Sequence, residues 1–243
     1  TPMRLDLLGS KDNEGVKGNY ESYMNTNIEE FYNEHRNKYK AWGNFCNVNG
    51  VQICTRKVKD GYPLFLYRGY IDLDVRASEV FICYLYKGSL WNGNTERFVI
   101  KNLSSKSDIF YQKYSIGSNE FFNRDFILLR QWKNFNGTYI LACTSIKICE
   151  KDLVNCNLPV QHNRKIIGDN SHPRGIILGA RFVVEPMHSK SRVNLILRID
   201  LKGRRASSYK NITPYIISQE LNSLKDYFST PSSQLNTLQE AIV

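Results

Sequence analysis

The sequence lacks any long hydrophobic run, and none of its apolar stretches approaches the ~18 residues that a membrane-spanning helix needs. We therefore expect that the chain does not span a membrane. It also lacks a Pro-, Gly- or Ser-rich stretch that would mark an internal linker. A chain of 243 residues without such a break is expected to form one large domain.

Histidine is scarce and cysteine is irregularly spaced. The four histidines provide no convincing set of nucleophile, base and orienting acid, and a Gly-rich phosphate loop is missing. The six cysteines form no C-x-x-C pair, which argues against a zinc site. We expect no enzyme, no metal and no cofactor. Cys54, Cys83 and Cys143 lie in apolar patterns typical of reduced core residues, so Cys149 and Cys156 are the one pair to test for a disulfide.

Positive charge exceeds negative charge, with a formal net charge of +10. Such a chain is expected to contact something anionic, either nucleic acid or the acidic face of a membrane, although solubility also explains part of the excess. The basic residues are scattered, and their tightest cluster, 202–205, is too short for a nucleic-acid arm. We expect no nucleic-acid partner and keep a basic nucleic-acid module as an alternative.

The two ends of the chain show no periodicity. Residues 1–18 are expected to be mobile, residues 19–230 to form the folded domain, and residues 231–243 to form a frayed tail. The chain opens on Thr1-Pro2 without an initiator methionine or a signal-type apolar stretch, as expected for a processed or cloned fragment. The compartment is therefore not predicted, and secretion or export stays open.

Period-two alternation predicts an antiparallel sheet. A helix precedes it, with an apolar stripe that includes Ile28 and Phe31. A hairpin over 51–71 and a short helix over 78–87 follow. Further strands are predicted at 96–103, 108–115, 124–132, 138–148, 175–186 and 192–202, with a long polar loop over 150–173.

The last element is predicted to be a helix that starts with Thr213 as its N-cap and Pro214 in its first turn. Its apolar stripe consists of Ile212, Tyr215, Ile216, Leu221, Leu224, Tyr227 and Phe228, and Ile217 widens it. Glu220, Lys225 and Asp226 are expected to mark the solvent side. Ordinary core packing explains this pattern, and so does a helix that closes over a cavity.

The segment 123–132 reads as a strand that carries a charge on an apolar face. Its alternation places Phe126, Leu128, Arg130 and Trp132 together. If that face is buried, the guanidinium needs a partner, because an unpaired buried charge costs several kcal/mol. The alternative is an edge strand with Arg130 facing water.

Several blocks in this order resemble the START (StAR-related lipid transfer) family. They are 123–126 with the apolar strand after it, 137–140, and 191–193 through 200–203, and the resemblance runs from about Ala41 to about Phe228. It implies an α+β helix-grip fold, in which a curved antiparallel sheet wraps a long C-terminal helix around an apolar cavity. It also implies a monomeric carrier that holds one phospholipid as cargo and moves it between membranes.

The resemblance also implies site residues. Tyr111, Phe126 and Phe182 match the aromatics that surround a quaternary ammonium in the phosphatidylcholine-transfer branch, with Leu128 and Leu178 on the same apolar strands. The branch's phosphate-pairing arginine and its acid correspond to Gly88 and Asn92, so Lys87 or Arg97 is a candidate replacement. Arg130 matches an inward arginine whose acidic partner corresponds to Gln112 or Tyr111, which leaves a lipid phosphate or water as its partner.

A mobile gate is expected at one end of the cavity. The candidates are the loop residues Ile116, Phe121 and Phe122, and the helix residues Ile212, Ile216 and Ile217. Arg204 and Arg205 are expected to contact anionic headgroups. The departures from the branch leave a sterol or ceramide carrier as an alternative cargo class, and an enzyme acting on a hydrophobic small molecule as an alternative function.

Overall fold

In the computed structural model, the described residues are 3–5, 13–40, 42–92, 95–114, 123–148, 162, 174–202 and 209–230. The helices with stated bounds are α1 (Asn13–Arg36), α2 (Ala77–Tyr86), α3 (Gly88–Trp91) and α4 (Tyr209–Ser229). The strands are β1 (Met3–Leu5), β2 (Gly43–Val48), β3 (Val51–Arg56), β4 (Leu66–Leu73), β5 (Thr95–Ser104), β6 (Ser107–Tyr114), β7 (Arg124–Phe135), β8 (Thr138–Ile148), β9 (Ile176–Met187) and β10 (Lys190–Asp200).

Nine strands form one sheet in the order β2-β3-β4-β10-β9-β8-β7-β6-β5. Every neighbouring pair in this order is antiparallel, which confirms the predicted sheet. The alternation located these strands because each has one face toward an apolar cluster. The predicted bounds hold to within a few residues: β3 is as predicted, β4 begins at Leu66, and β7 continues to Phe135.

Two tight turns follow from Asn-Gly pairs. Asn49-Gly50 joins β2 to β3, and Asn136-Gly137 joins β7 to β8, with φ values of 49° and 82° in the first and 51° and 92° in the second. A two-residue hairpin turn of type I′ needs positive φ at both positions, which Asn and Gly adopt most readily. The second of these turns fixes the register of β7 against β8, in which Arg130 lies opposite Cys143.

The sheet has two buried faces. The inner face lies toward α2 and α4 and carries the largest apolar cluster, which includes Phe126, Leu128, Phe182 and Leu195. The outer face is covered by α1 through residues such as Ile28. Because side chains alternate along a strand, β6, β7, β8 and β9 each contribute residues to both clusters.

The terminal helix α4 packs on the inner face across β4, β10 and β3. Gly69 on β4 lies under it, and a Cβ built at Gly69 would be 2.4 Å from Ile217 Cγ2 and 3.1 Å from Leu221 Cδ1. This close approach places the helix against the sheet. A C-terminal helix across one face of an open antiparallel sheet is the α+β helix-grip arrangement that the family resemblance implied.

Two features of α4 differ from the prediction. The helix begins at Tyr209, so Thr213 is a buried helical residue and not its N-cap. It continues upstream of the Thr-Pro pair, where Ile212 packs against the inner cluster. Pro214 removes one helical hydrogen bond, and this is tolerated near the start of a helix that tertiary contacts hold. Glu220 was expected on the solvent side but is 2% exposed.

Part of the segment expected to be mobile has regular structure. The first helix begins at Asn13, and Met3–Leu5 pairs in parallel with β8. Cys54 and Cys83 are buried free thiols, as predicted, and Cys143 is a half-buried one. The predicted loop over 150–173, the proposed pair Cys149 and Cys156, and the tail 231–243 lie outside the described residues, except for His162.

Candidate functional site

The inner face brings together four of the six predicted cavity residues and places a fifth beside them. Phe126, Leu128 and Phe182 are at most 2% exposed and belong to the inner cluster. Leu178 is partly buried and packs against that cluster. Arg130 lies two residues beyond Leu128 on β7, on the same face, and is 3% exposed. The apolar pattern predicted this face because strand residues two apart share a side.

Tyr111 is not part of this group. It lies in the outer cluster with Ile127, and its ring stacks on Phe98 with 4.7 Å between centroids. In the register of β6 against β7, Tyr111 is opposite Ile127, whereas Gln112 is opposite Phe126. The motif-based placement was therefore one residue out of phase, and the three predicted aromatics do not share one face of the sheet.

Other aromatic rings occupy the inner face instead. Tyr84 of α2 stacks on Phe182 with 3.5 Å between centroids, and Trp91 of α3 stacks on Tyr84 at 5.6 Å. Tyr114 meets the edge of Phe126 at 5.8 Å. Strand alternation could have found Tyr114, because it lies four positions beyond Phe110 and therefore on the same face of β6. Tyr84 and Trp91 carried no such signal, since their position depends on how α2 and α3 dock.

Arg130 forms a buried ion pair with Asp108. Its Nε donates to Oδ1 at 2.8 Å and its Nη2 donates to Oδ2 at 2.6 Å, with both side chains at most 3% exposed. The guanidinium carbon also lies 3.4 Å from the centre of the Phe110 ring. The inward orientation is thus confirmed, and the edge-strand alternative is wrong because β7 lies between β6 and β8.

The partner of Arg130 corrects a second prediction. Neither Gln112 nor Tyr111 fills this role, because Asp108 lies directly across from Arg130 on β6. The pair neutralises the guanidinium within the protein, so neither lipid phosphate nor water is needed to do so. Cys143 faces Arg130 from β8, and burial raises the pKa of its thiol to about 12, so the thiol stays protonated.

A second buried polar group links α4 to the sheet. Glu220 accepts hydrogen bonds from Arg97 Nη2 at 2.8 Å, from the Tyr84 hydroxyl at 2.6 Å and from the Tyr114 hydroxyl at 3.0 Å. With its amide oxygen turned toward Arg97, Gln112 accepts from Nη2 at 2.8 Å and from Nε at 3.1 Å. We call Arg97, Glu220, Tyr84, Tyr114 and Gln112 the Glu220 network.

The Glu220 network is electrically neutral. Burial raises the pKa of Tyr84 and Tyr114 well above the ordinary value, and the nearby carboxylate of Glu220 raises it further. Both phenols therefore stay protonated and act as hydrogen-bond donors to Glu220. Burial alone would lower the pKa of Arg97, but Glu220 and the two phenols outweigh it, so the guanidinium stays charged. One positive and one negative charge remain and cancel.

The structure describes three of the predicted gate residues, all on α4. Ile216 and Ile217 are buried in the inner cluster, and Ile212 packs against it. The predicted loop residues Ile116, Phe121 and Phe122, and the basic pair Arg204 and Arg205, lie outside the described residues.

Within the described part of the chain, no helix is both long and apolar enough to cross a membrane. The same residues contain no cluster of three or more His, Cys, Asp or Glu side chains suited to a metal ion.

The sheet, the helix across it and the polar groups between them define a helix-grip domain. The chain belongs to the START family, since the START domain model matches residues 22–213. Among curated proteins it is 25% identical over 239 residues to Rho GTPase-activating protein 7 of Canis lupus familiaris, across 96% of this chain and 20% of that protein. It is also 25% identical over 228 residues to human StAR-related lipid transfer protein 13, across 92% of this chain and 19% of that protein.

Two solved structures share the fold. The human StarD13 lipid transfer and protein localization domain has a TM-score of 0.63 at 24% identity, covering 83% of this chain and 95% of that one. Human StAR-related lipid transfer protein 5 has a TM-score of 0.69 at 18% identity, covering 86% of this chain and 96% of that one. The chain spans about a fifth of the length of the curated relatives described above.

Proposed function

We propose that this domain binds one lipid molecule between the inner face of the sheet and α4, and moves it between membranes without covalent chemistry. The observation that carries the proposal is the inner face itself, where an apolar cluster under α4 surrounds two internally neutralised polar groups. Membership in the START family supports it, and so do two human relatives whose names describe lipid transfer.

A magnitude explains why such a lipid needs a closed carrier. Two acyl chains contain ~30 methylene groups, and exposing each to water costs about 0.8 kcal/mol, so full exposure costs at most about 25 kcal/mol. Transfer from a bilayer into an apolar pocket exchanges one apolar surrounding for another and is nearly neutral. A protein that docks, opens and closes therefore accelerates transfer by sheltering the chains.

The first candidate cargo is phosphatidylcholine, as the sequence suggested. Phe126 and Phe182 lie on the inner face, and Tyr114 and Tyr84 contact them. A desolvated quaternary ammonium gains about 0.5–2 kcal/mol from a well-placed aromatic ring. This set of rings differs from the one predicted, because Tyr84 and Tyr114 are present and Tyr111 is not.

The second candidate is a lipid with an uncharged head, such as a sterol or a ceramide. It is favoured by the two interior ion pairs, because Asp108 neutralises Arg130 and Glu220 neutralises Arg97. A phosphate group would have to compete with a buried carboxylate for either guanidinium. An uncharged head avoids that competition.

Membrane contact is proposed at the end where the sheet meets the start of α4. The net charge of +10 favours an acidic membrane surface, and Arg204 and Arg205 precede the helix in sequence. Ile212, Ile216 and Ile217 are proposed to belong to the segment that moves when the lipid enters. The domain is proposed to act as a monomer.

The test is identification of the bound lipid. The purified 243-residue chain is analysed by native mass spectrometry, its lipid is extracted and identified, and transfer of labelled lipid between vesicles is measured. We expect one lipid per chain and transfer above the spontaneous rate. Folded protein that carries no lipid and transfers none would contradict the proposal.

A further inference from the structure

Helix α2 is apolar on almost all sides, but only part of it is buried. Ser78 and Glu79 are its only polar residues. A helix of this composition is normally enclosed by the protein core, because water on any side of it is unfavourable. One side of α2 does lie in the inner cluster, whereas Ile82 is 51% exposed and Tyr86 is 66% exposed. These two side chains are four positions apart, so they lie on one face of the helix and leave that face open to solvent.

A third exposed apolar side chain lies beside this face. Val99 of the edge strand β5 is 36% exposed. Tyr86 and Val99 line the same open surface pocket, which has a volume of about 120 Å³, so the helix and the strand meet there. Of the five large hydrophobic side chains that are exposed in the described part of the chain, three therefore lie together. We call Ile82, Tyr86 and Val99 the α2 patch. Single exposed apolar residues are common on protein surfaces, but a group of them marks a contact surface.

The charges around the α2 patch are mainly positive. Arg76 directly precedes α2, Lys87 directly follows it, and Lys101 lies on β5. All three basic residues are exposed, and Glu79 is the only exposed acid among the described residues of α2 and β5. The net charge of the whole chain, +10, has the same sign. An anionic surface is therefore the complementary partner.

The composition of the α2 patch favours a membrane over a protein as that partner. A stable protein interface takes about 20–30 residues a side, with an apolar centre that loses all contact with water. Three apolar side chains bordered by charges are too few for such a centre. A membrane surface asks for less, since a few apolar side chains enter the headgroup region while basic residues contact acidic lipids. Tyrosine suits this position because its ring is apolar and its hydroxyl can stay in water.

We infer that the α2 patch docks the domain on anionic membranes, with Ile82 and Tyr86 in the headgroup region and Lys87 in contact with acidic lipids. This inference rests on the proposed lipid carriage and adds a contact surface to the one proposed at the start of α4. The opposite face of α2 belongs to the inner cluster, where the lipid is proposed to bind. One helix thus separates the bilayer from the cargo.

The test is flotation with vesicles of phosphatidylcholine and phosphatidylserine. Wild type is compared with the double variant Ile82→Ser/Tyr86→Ser, which should fold normally because both side chains are exposed. We expect the double variant to bind these vesicles about tenfold more weakly, since two apolar side chains no longer leave water on docking. A double variant that binds as tightly as wild type would overturn the inference.

A matched pair of lysine variants tests the charge. Lys87→Gln is expected to weaken binding about fivefold, the effect of one lysine close to an anionic surface. Lys40→Gln makes the same charge change at an exposed position between Tyr39 and Trp42, which pack on the face of the sheet opposite α2. The control should bind as wild type, and equal losses in the two lysine variants would overturn the inference.

Two further readouts separate the explanations. If wild type self-associates and the double variant does not, while neither floats with vesicles, the α2 patch contacts a second copy of the chain and the inference is overturned. Native mass spectrometry of the same samples measures the lipid bound per chain. Wild type that floats through the α2 patch but carries and transfers no lipid would overturn the proposed function alone.

Discussion

At the scale of single residues, the inner face of the sheet carries two buried ion pairs, Arg130 with Asp108 and Arg97 with Glu220. Arg130 and Asp108 are opposite each other on neighbouring strands, so strand register alone brings them together. Arg97 and Glu220 are 123 positions apart in sequence, and only the docking of α4 joins them. Both pairs lie among apolar side chains, where an unpaired charge is far more costly than one at the surface.

The Arg130–Asp108 pair gives a stability prediction. Asp108→Asn leaves the guanidinium buried without a counter-charge, and we expect the free energy of unfolding to fall by about 3–5 kcal/mol in urea titrations. Asp72→Asn is the control, because Asp72 and Arg192 form a pair that is 43% and 33% exposed. That change is expected to cost about 1 kcal/mol or less. Equal losses in the two variants would show that burial does not decide the cost.

An acid-dependent effect is expected at Asp60. Hydrogen bonds from Arg198 lower the pKa of Asp60 from 3.8 to about 2. Because the folded-state pKa is the lower one, this contact stabilises the fold above a pH of about 4, and the stabilisation is lost as the pH falls toward 2. The stability difference between wild type and Asp60→Asn should therefore be larger at about pH 5.5 than at about pH 3 in urea unfolding. A difference that stays constant would contradict this assignment.

At the scale of elements, alternation revealed the strands but not how the helices dock on them. Alternation grouped Phe126 with Leu128 on one face of β7 and placed Phe182 on the apolar face of β9. All three lie in the inner cluster. Tyr111 was assigned from a motif and not from the alternation of its own strand, and that one-residue difference put it on the wrong face. The partner of Arg130 was sought on the correct strand, since Gln112 and Tyr111 also lie on β6. The register of β6 against β7, which places Asp108 opposite Arg130, was not available from the sequence.

Helix α4 shows a similar limit. Its apolar stripe was predicted, and Ile216, Ile217, Leu221 and Leu224 are buried as expected. Tyr215 was assigned to the same stripe but is 37% exposed. Glu220 was assigned to solvent because a carboxylate normally faces water, and its three donors come from α2, β5 and β6. A buried acid of this kind cannot be recognised until the element that neutralises it is known.

The contact between α4 and β4 gives the element-scale prediction. Gly69→Ala places a methyl group 2.4 Å from Ile217 Cγ2, so the helix or the side chain must move. We expect the free energy of unfolding to fall by about 1–3 kcal/mol, as for other overpacked sites. Gly43→Ala on β2 is the control, since nothing lies within 4 Å of its Cβ position. If both alanine variants unfold at the same urea concentration, α4 does not pack tightly at Gly69.

At the scale of the whole molecule, the positive charge and the apolar interior serve different steps of the proposed cycle. The net charge of +10 acts over distances that salt can screen, whereas the interior acts only after the lipid has entered. Docking on a membrane and retention of the lipid should therefore respond differently to ionic strength.

That separation can be measured. Transfer from vesicles that contain anionic lipid should be faster than from uncharged vesicles, and the advantage should shrink as salt rises from about 0.05 M to about 0.5 M. The amount of lipid bound per chain should stay the same. A transfer rate that ignores both vesicle charge and salt would argue against electrostatic docking.

The most direct test of the central proposal is to find where a bound lipid lies. A lipid with a photoactivatable group in its acyl chain is loaded into the chain and crosslinked, and the labelled peptides are sequenced by mass spectrometry. We expect adducts on α4 and on inner-face residues of β7 and β9, including the peptides that contain Phe126 and Phe182. Adducts confined to α1 and the outer face, or none at all, would contradict a lipid held between the sheet and the terminal helix.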